Sequence, residues 1–390
     1  MSQIQIPSTM KGAYLPGSSQ VELRTVPVPQ PGPGQVLLQT RASALCGSDL
    51  RLIYRPKTHK SGPDGYRGVI AGHEPCGIIV KRGEGVSDAW KEGTRVVVYH
   101  IQGCGDCYLC RLGQYISCES PSRRAYGWQR DGGHGEYLLA DTQSLVRLLP
   151  PLTYLDGALI ACGFGTAYAA CTRANISGRD RRVLVTGMGP VGLAVALLAQ
   201  RMGAVRVLGV EPDSERVKFA RSLGVECVQT LTASPTASGQ DASAKDASLE
   251  DAEDLSYEPP AGWTTEGDGG DARPEVCIDC SGNARARLHC LKMAGIWGRV
   301  VFVGEGGRVG FDVSELVIHK NLTILGSWVC SVAQMEELTE RLVAWDLHPE
   351  ITVTNTFRID EAEIAYSTFN SGKTGKCTIL YGDEKQVYKR

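Results

Sequence analysis

Between an apolar run, Arg182-Val183-Leu184-Val185-Thr186, and a stretch of helix formers, Pro190–Ala199, the sequence reads Gly187-Met188-Gly189-Pro190-Val191-Gly192. This is G-x-G-x-x-G, a pattern that carries weight only in such a strand–turn–helix setting. Gly187 is expected to make the tight turn, Gly189 to let a pyrophosphate approach the backbone, and Gly192 to let helix and strand pack closely. Pro190 and Val191 open the helix, whose N-terminal N–H groups then face the phosphates. A second apolar run, Val205–Val210, ends beside Glu211. A carboxylate there can accept hydrogen bonds from ribose hydroxyls and would repel a 2′-phosphate, so NAD is expected over NADP. A helix-capping acid is the plainer account of Glu211. Arg216 nearby suits either a phosphate or a solvated helix face.

The same rhythm continues downstream. A helix is predicted over Ser214–Leu223, with Asp213 as N-cap and Gly224 just past its end. Val276–Cys280, Val300–Val303 and Leu322–Leu325 read as further strands. Strand and helix in alternation argue for a doubly wound parallel sheet. Before it, the first 150 residues are broken by Gly and Pro into short β-like runs, among them Val36–Thr40 and Arg95–Tyr99. After it, Thr352–Leu380 again looks β-rich, with a short helix over Asp360–Phe369, and is expected to rejoin the first domain. The segment 231–273 is rich in Ser, Ala, Asp, Gly and Thr. It has too little apolar surface to offset its ordering entropy and is expected to be a surface insertion, largely mobile.

The chain contains 14 cysteines, four of them as Cys104, Cys107, Cys110 and Cys118. The spacing C-x2-C-x2-C-x7-C suits a tetrahedral zinc with four thiolates, and Gly103 and Gly105 let the backbone turn around the ion. With all four corners filled, such a zinc would be structural, in a lobe spanning 103–118. Free thiols or a disulfide pair is the competing reading. A nucleic-acid-binding finger is disfavoured, because no basic excess surrounds the lobe.

Three more features stand in chain order: Cys46-Gly47-Ser48-Asp49, Gly72-His73-Glu74, and Cys162-Gly163. Together with the lobe and the glycine fingerprint they closely resemble the zinc-containing medium-chain dehydrogenase/reductase family, over nearly the whole chain except the insertion. The resemblance implies a GroES-like, β-rich catalytic domain with an inserted Rossmann domain. The bounds are then 1–162 and 327–390 for the catalytic part and 163–326 for the NAD-binding part. It implies two zinc ions per chain, the second held for catalysis by Cys46, His73 and Cys162 with a fourth place for substrate. Ser48 is then the first proton acceptor. Asp49 accepts a hydrogen bond from His73, and Glu74 is an outer carboxylate or a transient ligand. Where many members carry a relaying His, this chain has Arg51, which cannot titrate near neutral pH. The resemblance also places His100 and Trp128 near the substrate. His100 hints at a polar substrate, though a solvent-facing loop histidine would look the same.

Formal net charge is −2, which gives no general pull toward nucleic acid. No apolar run approaches the ~20 residues that cross a bilayer, and the start of the sequence lacks a basic segment followed by an apolar one. A cytoplasmic enzyme acting on a small alcohol or carbonyl compound is the expectation, as a homodimer or homotetramer. The competing functions are an NADPH-dependent carbonyl or enone reductase on the same scaffold, and a non-catalytic binding protein that retains the fold.

Overall fold

The computed structural model of the chain describes residues 5–62, 64–230, 255, 263 and 273–382. The chain opens as an antiparallel hairpin, β1 (Thr9–Gly17) with β2 (Gln20–Pro27). Its turn residues Ser18 and Ser19 both take positive φ. After the proline-rich lead-in comes β3 (Gln35–Ala44), the longest strand, with one face of Val36, Leu38, Thr40 and Ala42 fully buried. It ends in a short helical turn, α1 (Gly47–Asp49), continued by a π-helical turn over Leu50–Tyr54. Next come β4 (Glu74–Arg82), β5 (Arg95–Val98) and β6 (Ile101–Gln102). The cysteine lobe with α2 (Tyr108–Arg111) follows, then β7 (Arg124–Ala125), β8 (Tyr137–Asp141) and β9 (Leu145–Arg147). An all-helical passage then begins: α3 (Tyr154–Leu159), a π-helical turn over Ile160–Phe164, and α4 (Gly165–Arg173).

The dinucleotide fold starts with β10 (Arg182–Thr186), α5 (Pro190–Arg201), β11 (Arg206–Glu211), α6 (Ser214–Ser222) and β12 (Glu226–Gln229). It is completed by β13 (Val276–Asp279), α7 (Ala284–Met293), β14 (Arg299–Phe302) and β15 (Thr323–Gly326). The six strands are all parallel, in the order β12-β11-β10-β13-β14-β15. This is the 3-2-1-4-5-6 order of a dinucleotide-binding sheet, whose strand order reverses beside its first strand. Asp213 caps α6 as expected, its side chain accepting from Arg216 N, and Gly224 leaves the helix at φ +78°. Leu184, Leu208, Cys277 and Val300 bury one face of the sheet against α7.

Most of the expected insertion lies outside the described residues. One of its residues corrects the expectation that it stays at the surface. Trp263 is buried in the sheet's core, donates from Nε1 to Glu226 Oε2 (3.3 Å), and lies under the Arg206 guanidinium. An indole ring carries a large apolar surface to bury and a polar N–H that needs a partner, and both needs are met here.

The chain then runs through α8 (Val332–Ala344) into β16 (Val353–Arg358), α9 (Ala362–Asn370) and β17 (Lys376–Leu380). These join the first strands in one seven-stranded sheet, ordered β16-β17-β3-β4-β5-β9, with β8 on β3. The chain therefore forms two compact units, Met1–Gly165 with Cys330–Arg390, and Thr166–Val329. The sequence reading had 163–326 for the second; the π-helical turn carrying Cys162 runs on to Phe164 and so belongs with the first. Among the described residues no helix is long and apolar enough to cross a membrane.

Candidate metal centres and dinucleotide fingerprint

Three chain ends of the seven-stranded sheet converge. β3 runs out at Ala44 and delivers Cys46. β4 begins opposite it, with Glu74 in register with Ala44 and His73 just before. β17 begins on the other side of β3, where Leu45 N–H donates to Cys377 O (2.9 Å) and Lys376 lies next in the chain. Cys162 reaches the same point from the π-helical turn after α3. The ligand atoms of Cys46, His73, Glu74 and Cys162 all lie within 4.8 Å of one another.

The groups around these four orient them. Asp49 Oδ1 accepts from His73 Nδ1 (2.8 Å), and its other oxygen accepts from Cys46 N (3.1 Å). A carboxylate can only accept, so Nδ1 carries a proton and Nε2 faces the cluster, where it would offer its lone pair to an ion. Such an outer carboxylate fixes ring and tautomer in metal sites. Burial lowers the proton affinity of His73, but Asp49 and then Cys46 outweigh it and raise it well above the ordinary value. The same negative field would hold a divalent cation. Cys46 is held well below the usual thiol range, first by a hydrogen bond from Cys162, which is raised in turn.

Glu74 is fully buried, and burial pushes its carboxyl up to about 8 against the pull of Lys376. Its Oε1 accepts from Lys376 Nζ at 2.6 Å, while Oε2 is buried with no hydrogen-bond partner among the described residues. An orphaned carboxylate oxygen beside two sulfurs and an imidazole is the donor set of a zinc site, so these residues fit the ion. The sequence reading left Glu74 as an outer group or a transient ligand; the fold brings it into the cluster itself. Sequence reasoning missed Lys376 altogether. It stands in an apolar strand run 302 positions from its partner, and no local signal joins the two.

His100 is buried, contrary to the solvent-facing alternative. Its ring centroid is 5.4 Å from that of His73, and Nδ1 donates to Ala161 O (3.1 Å). Burial, reinforced by His73, takes its pKa down to about 3, so it is neutral with an acceptor at Nε2. Ser48 is half-buried on α1, two positions from Cys46. Trp128 packs against a core cluster that includes Leu45, Tyr54 and Tyr366. A second histidine went unread: His134 is buried, bonded through Nδ1 to Tyr366 Oη (3.0 Å), and its ring fills the space a Cβ at Gly72 would need. The glycine before His73 is thus required twice, by this contact and by its φ of +87°.

In the lobe, Cys104, Cys107, Cys110 and Cys118 also bring their sulfurs within 4.8 Å of one another. Cys104–Cys110 and Cys107–Cys118 are 3.9 and 4.0 Å apart. A tetrahedron of thiolates at ~2.3 Å from zinc has edges of about 3.8 Å. Backbone N–H groups of Cys104, Cys107 and Cys110 point at the sulfurs of Cys118, Cys104 and Cys107. Those of Cys107 and Asp106 take the Cys104 thiol down to about 6. A Cβ at Gly103 would lie 2.6 Å from Cys110 Sγ. The geometry fits a four-sulfur ion site.

The glycine fingerprint is arranged as expected. Gly187 turns at φ +83°, and a Cβ there would meet Ser281 at 2.8 Å. A Cβ at Gly192 would lie 1.8 Å from Gly187 O, so helix and turn touch. At Gly189, the N-cap of α5, nothing but Arg216 Nη1 comes within 4 Å, which leaves its backbone open. Pro190 takes the first helical position and Val191 the next. Glu211 closes β11 almost fully buried. Its Oε2 accepts from Met188 N (2.6 Å) and Oε1 from Asp213 N (3.2 Å), with Arg216 Nη1 at 3.7 Å. It braces the glycine turn, a role sequence reasoning did not assign, and each oxygen retains a further acceptor site.

A parallel sheet with an open-backboned glycine turn, a four-sulfur lobe and a Cys–His–Glu–Cys cluster define a zinc-binding, dinucleotide-dependent dehydrogenase. The "Alcohol dehydrogenase GroES-like domain" model matches residues 32–151, and "Zinc-binding dehydrogenase" matches 190–344. The chain belongs to the zinc-containing medium-chain alcohol dehydrogenase family. It is 44% identical to the zinc-type alcohol dehydrogenase-like protein YphC of Escherichia coli K12, over 96% of this chain and 99% of that one. It is 30% identical to L-threonine 3-dehydrogenase of Pyrococcus horikoshii, over 92% and 94%. In fold it matches the rspB alcohol dehydrogenase of E. coli CFT073, solved with NADH, at a TM-score of 0.76 and 22% identity, over 96% and 100%.

Proposed function

We propose that the protein moves hydride between NAD and an alcohol or polyol, or the corresponding ketone or aldehyde, at Cys46, His73 and Cys162. The observation that carries this reading is the buried cluster of those three ligands with Glu74, whose carboxylate is shared between the cluster and Lys376. When bound, zinc supplies an electropositive position that acidifies a hydroxyl or polarises a carbonyl, and the nicotinamide supplies the hydride partner. The chain's own groups do the rest. Asp49 holds the His73 tautomer. Lys376 pairs with one oxygen of Glu74 and offsets its charge, so Glu74 would be a weakly held fourth ligand whose place substrate can take. Ser48 takes the hydroxyl proton, and Arg51, permanently charged, cannot pass it on. His100, neutral and buried, offers Nε2 to a second hydroxyl, which favours a polar substrate. The similarity to L-threonine 3-dehydrogenase, named for a polar secondary alcohol, supports the same class.

Glu211 supports NAD, since its carboxylate lies where a 2′-phosphate would be repelled. Arg216, beside both Glu211 and Gly189, is the one observation that favours NADPH and hence a reductase. Nicotinamide fluorescence decides: NADH is expected to bind at least about tenfold more tightly, a difference of roughly 1.4 kcal/mol. Tighter NADPH binding would remove the ribose role of Glu211. Cys46→Ala is expected to abolish alcohol-dependent NADH formation and to release one of two zinc ions while NADH still binds; retained turnover would overturn the ligand assignment.

A further inference from the structure

One arginine after the cysteine lobe is left without a full set of partners. Arg124 donates from Nη1 to the carbonyls of Pro121 (2.6 Å) and Arg123 (2.7 Å). Arg130 donates to Gln102 Oε1 and Leu139 O and pairs with Asp141. Arg123 has only a 3.8 Å approach to Asp64, whose side chain is 69% exposed and solvated. The Arg123 side chain is itself only 17% exposed, and its Nε is buried with no hydrogen-bond partner among the described residues. Holding a guanidinium this way costs free energy unless something completes its hydrogen bonds.

Its position says what that something is. Arg123 precedes β7, whose Ala125 pairs with Ile101 of β6, directly after His100. Tyr126 N donates to His100 O at 2.9 Å, so the two strands carry Arg123 alongside the histidine that neighbours His73. A planar fork of N–H donors matches carboxylate and phosphate oxygens, and a weakly held surface carboxylate such as Asp64 yields to them.

The geometry points to Arg123 as a specificity-determining residue that receives an oxyanion of the substrate, so that the enzyme prefers hydroxy acids or phosphorylated polyols to neutral polyols. This rests on the dehydrogenase reading above. Matched probes separate charge from chain length: gluconate and sorbitol 6-phosphate against sorbitol, each with NAD and the zinc-loaded full chain. The wild type is expected to favour an acidic probe by at least about tenfold in kcat/KM, and the two acidic arms show whether carboxylate or phosphate is taken. Arg123→Gln should raise KM for that probe by roughly 10- to 100-fold, the range for losing a charge-assisted hydrogen bond, with a smaller change in kcat. Arg123→Lys, which keeps the charge but not the fork, should recover part of the loss. An acid-to-neutral ratio unmoved by Arg123→Gln, or a wild-type preference for sorbitol, overturns the proposal and leaves the dehydrogenase reading standing. If none of the three is oxidised, calorimetric titration of both acidic probes into the NADH-bound protein decides. Binding that Arg123→Gln loses upholds the proposal, and absence of binding to wild type sinks it.

Discussion

At the scale of single residues, the deepest electrostatic commitment is Glu74 with Lys376, two ionisable side chains buried in contact. Removing one partner of such a pair strands the other in a low-dielectric interior and costs about 3–5 kcal/mol, whereas an apolar pair of similar volume can be nearly neutral. Lys376→Met is therefore expected to lower the unfolding free energy measured by urea titration by that amount, and Lys376→Met with Glu74→Leu to recover most of it. A single-variant cost below about 1 kcal/mol would show that the pair is not held as described. The residues legible in the sequence were those whose chemistry is carried by local spacing. Cys46, Ser48 and Asp49 fall within one turn, and His73 directly follows its positive-φ glycine. Lys376, His134 and Arg123 were not legible, because each takes its meaning from a neighbour on another element. Nothing near Lys376 in sequence announces an acid, and nothing near Arg123 announces a buried Nε left without a hydrogen-bond partner.

At the scale of elements, the cysteine lobe is a small structure with little core of its own. α2 has four residues, with Tyr108 and Leu112 exposed at either end. Its shape depends on four sulfurs and the N–H groups aimed at them. A domain of this kind is expected to take most of its folding free energy from the ion. Cys107→Ala should cut zinc from two ions to one per chain. It should destabilise the protein by about 4 kcal/mol, the stabilisation lost with a ligand present at about a thousand times its Kd. Zinc analysis and thermal unfolding check both, and an unchanged midpoint with one zinc lost would make the lobe dispensable. Element types were read well where period and caps agreed, as in α6 with Asp213 and Gly224. The passage from α3 through its π-helical turn to α4 offers no such signal beyond Cys162-Gly163. Its glycines and alanines carry no periodic pattern, and Gly165 is needed because a Cβ there would press on Cys330 Sγ at 2.8 Å.

At the scale of the whole molecule, β15 closes one edge of the parallel sheet with the sequence Thr323-Ile324-Leu325-Gly326, lacking any charge or proline. Trp297, Ile318 and Trp328 are exposed in the same unit. An uncharged strand edge is a template for pairing unless it is covered. We expect a homodimer or a tetramer built from it. Light scattering on the eluting protein should give a multiple of the chain mass, and Ile324→Lys should shift it toward one chain; a monomeric wild type would end this expectation. What the amino-acid order alone determined is everything carried by short-range geometry: the glycine turn, the four-sulfur spacing, the alternation that makes a parallel sheet, and the ligand types. What only folding decided is which distant groups share a buried space. Glu74 meets Lys376, His134 fills the hollow at Gly72, Trp263 enters the sheet's core, and Arg123 keeps a buried Nε with no hydrogen-bond partner among the described residues. Burial removes water as the universal partner, so the meaning of a charged or polar side chain there is set by whichever strand the topology lays beside it.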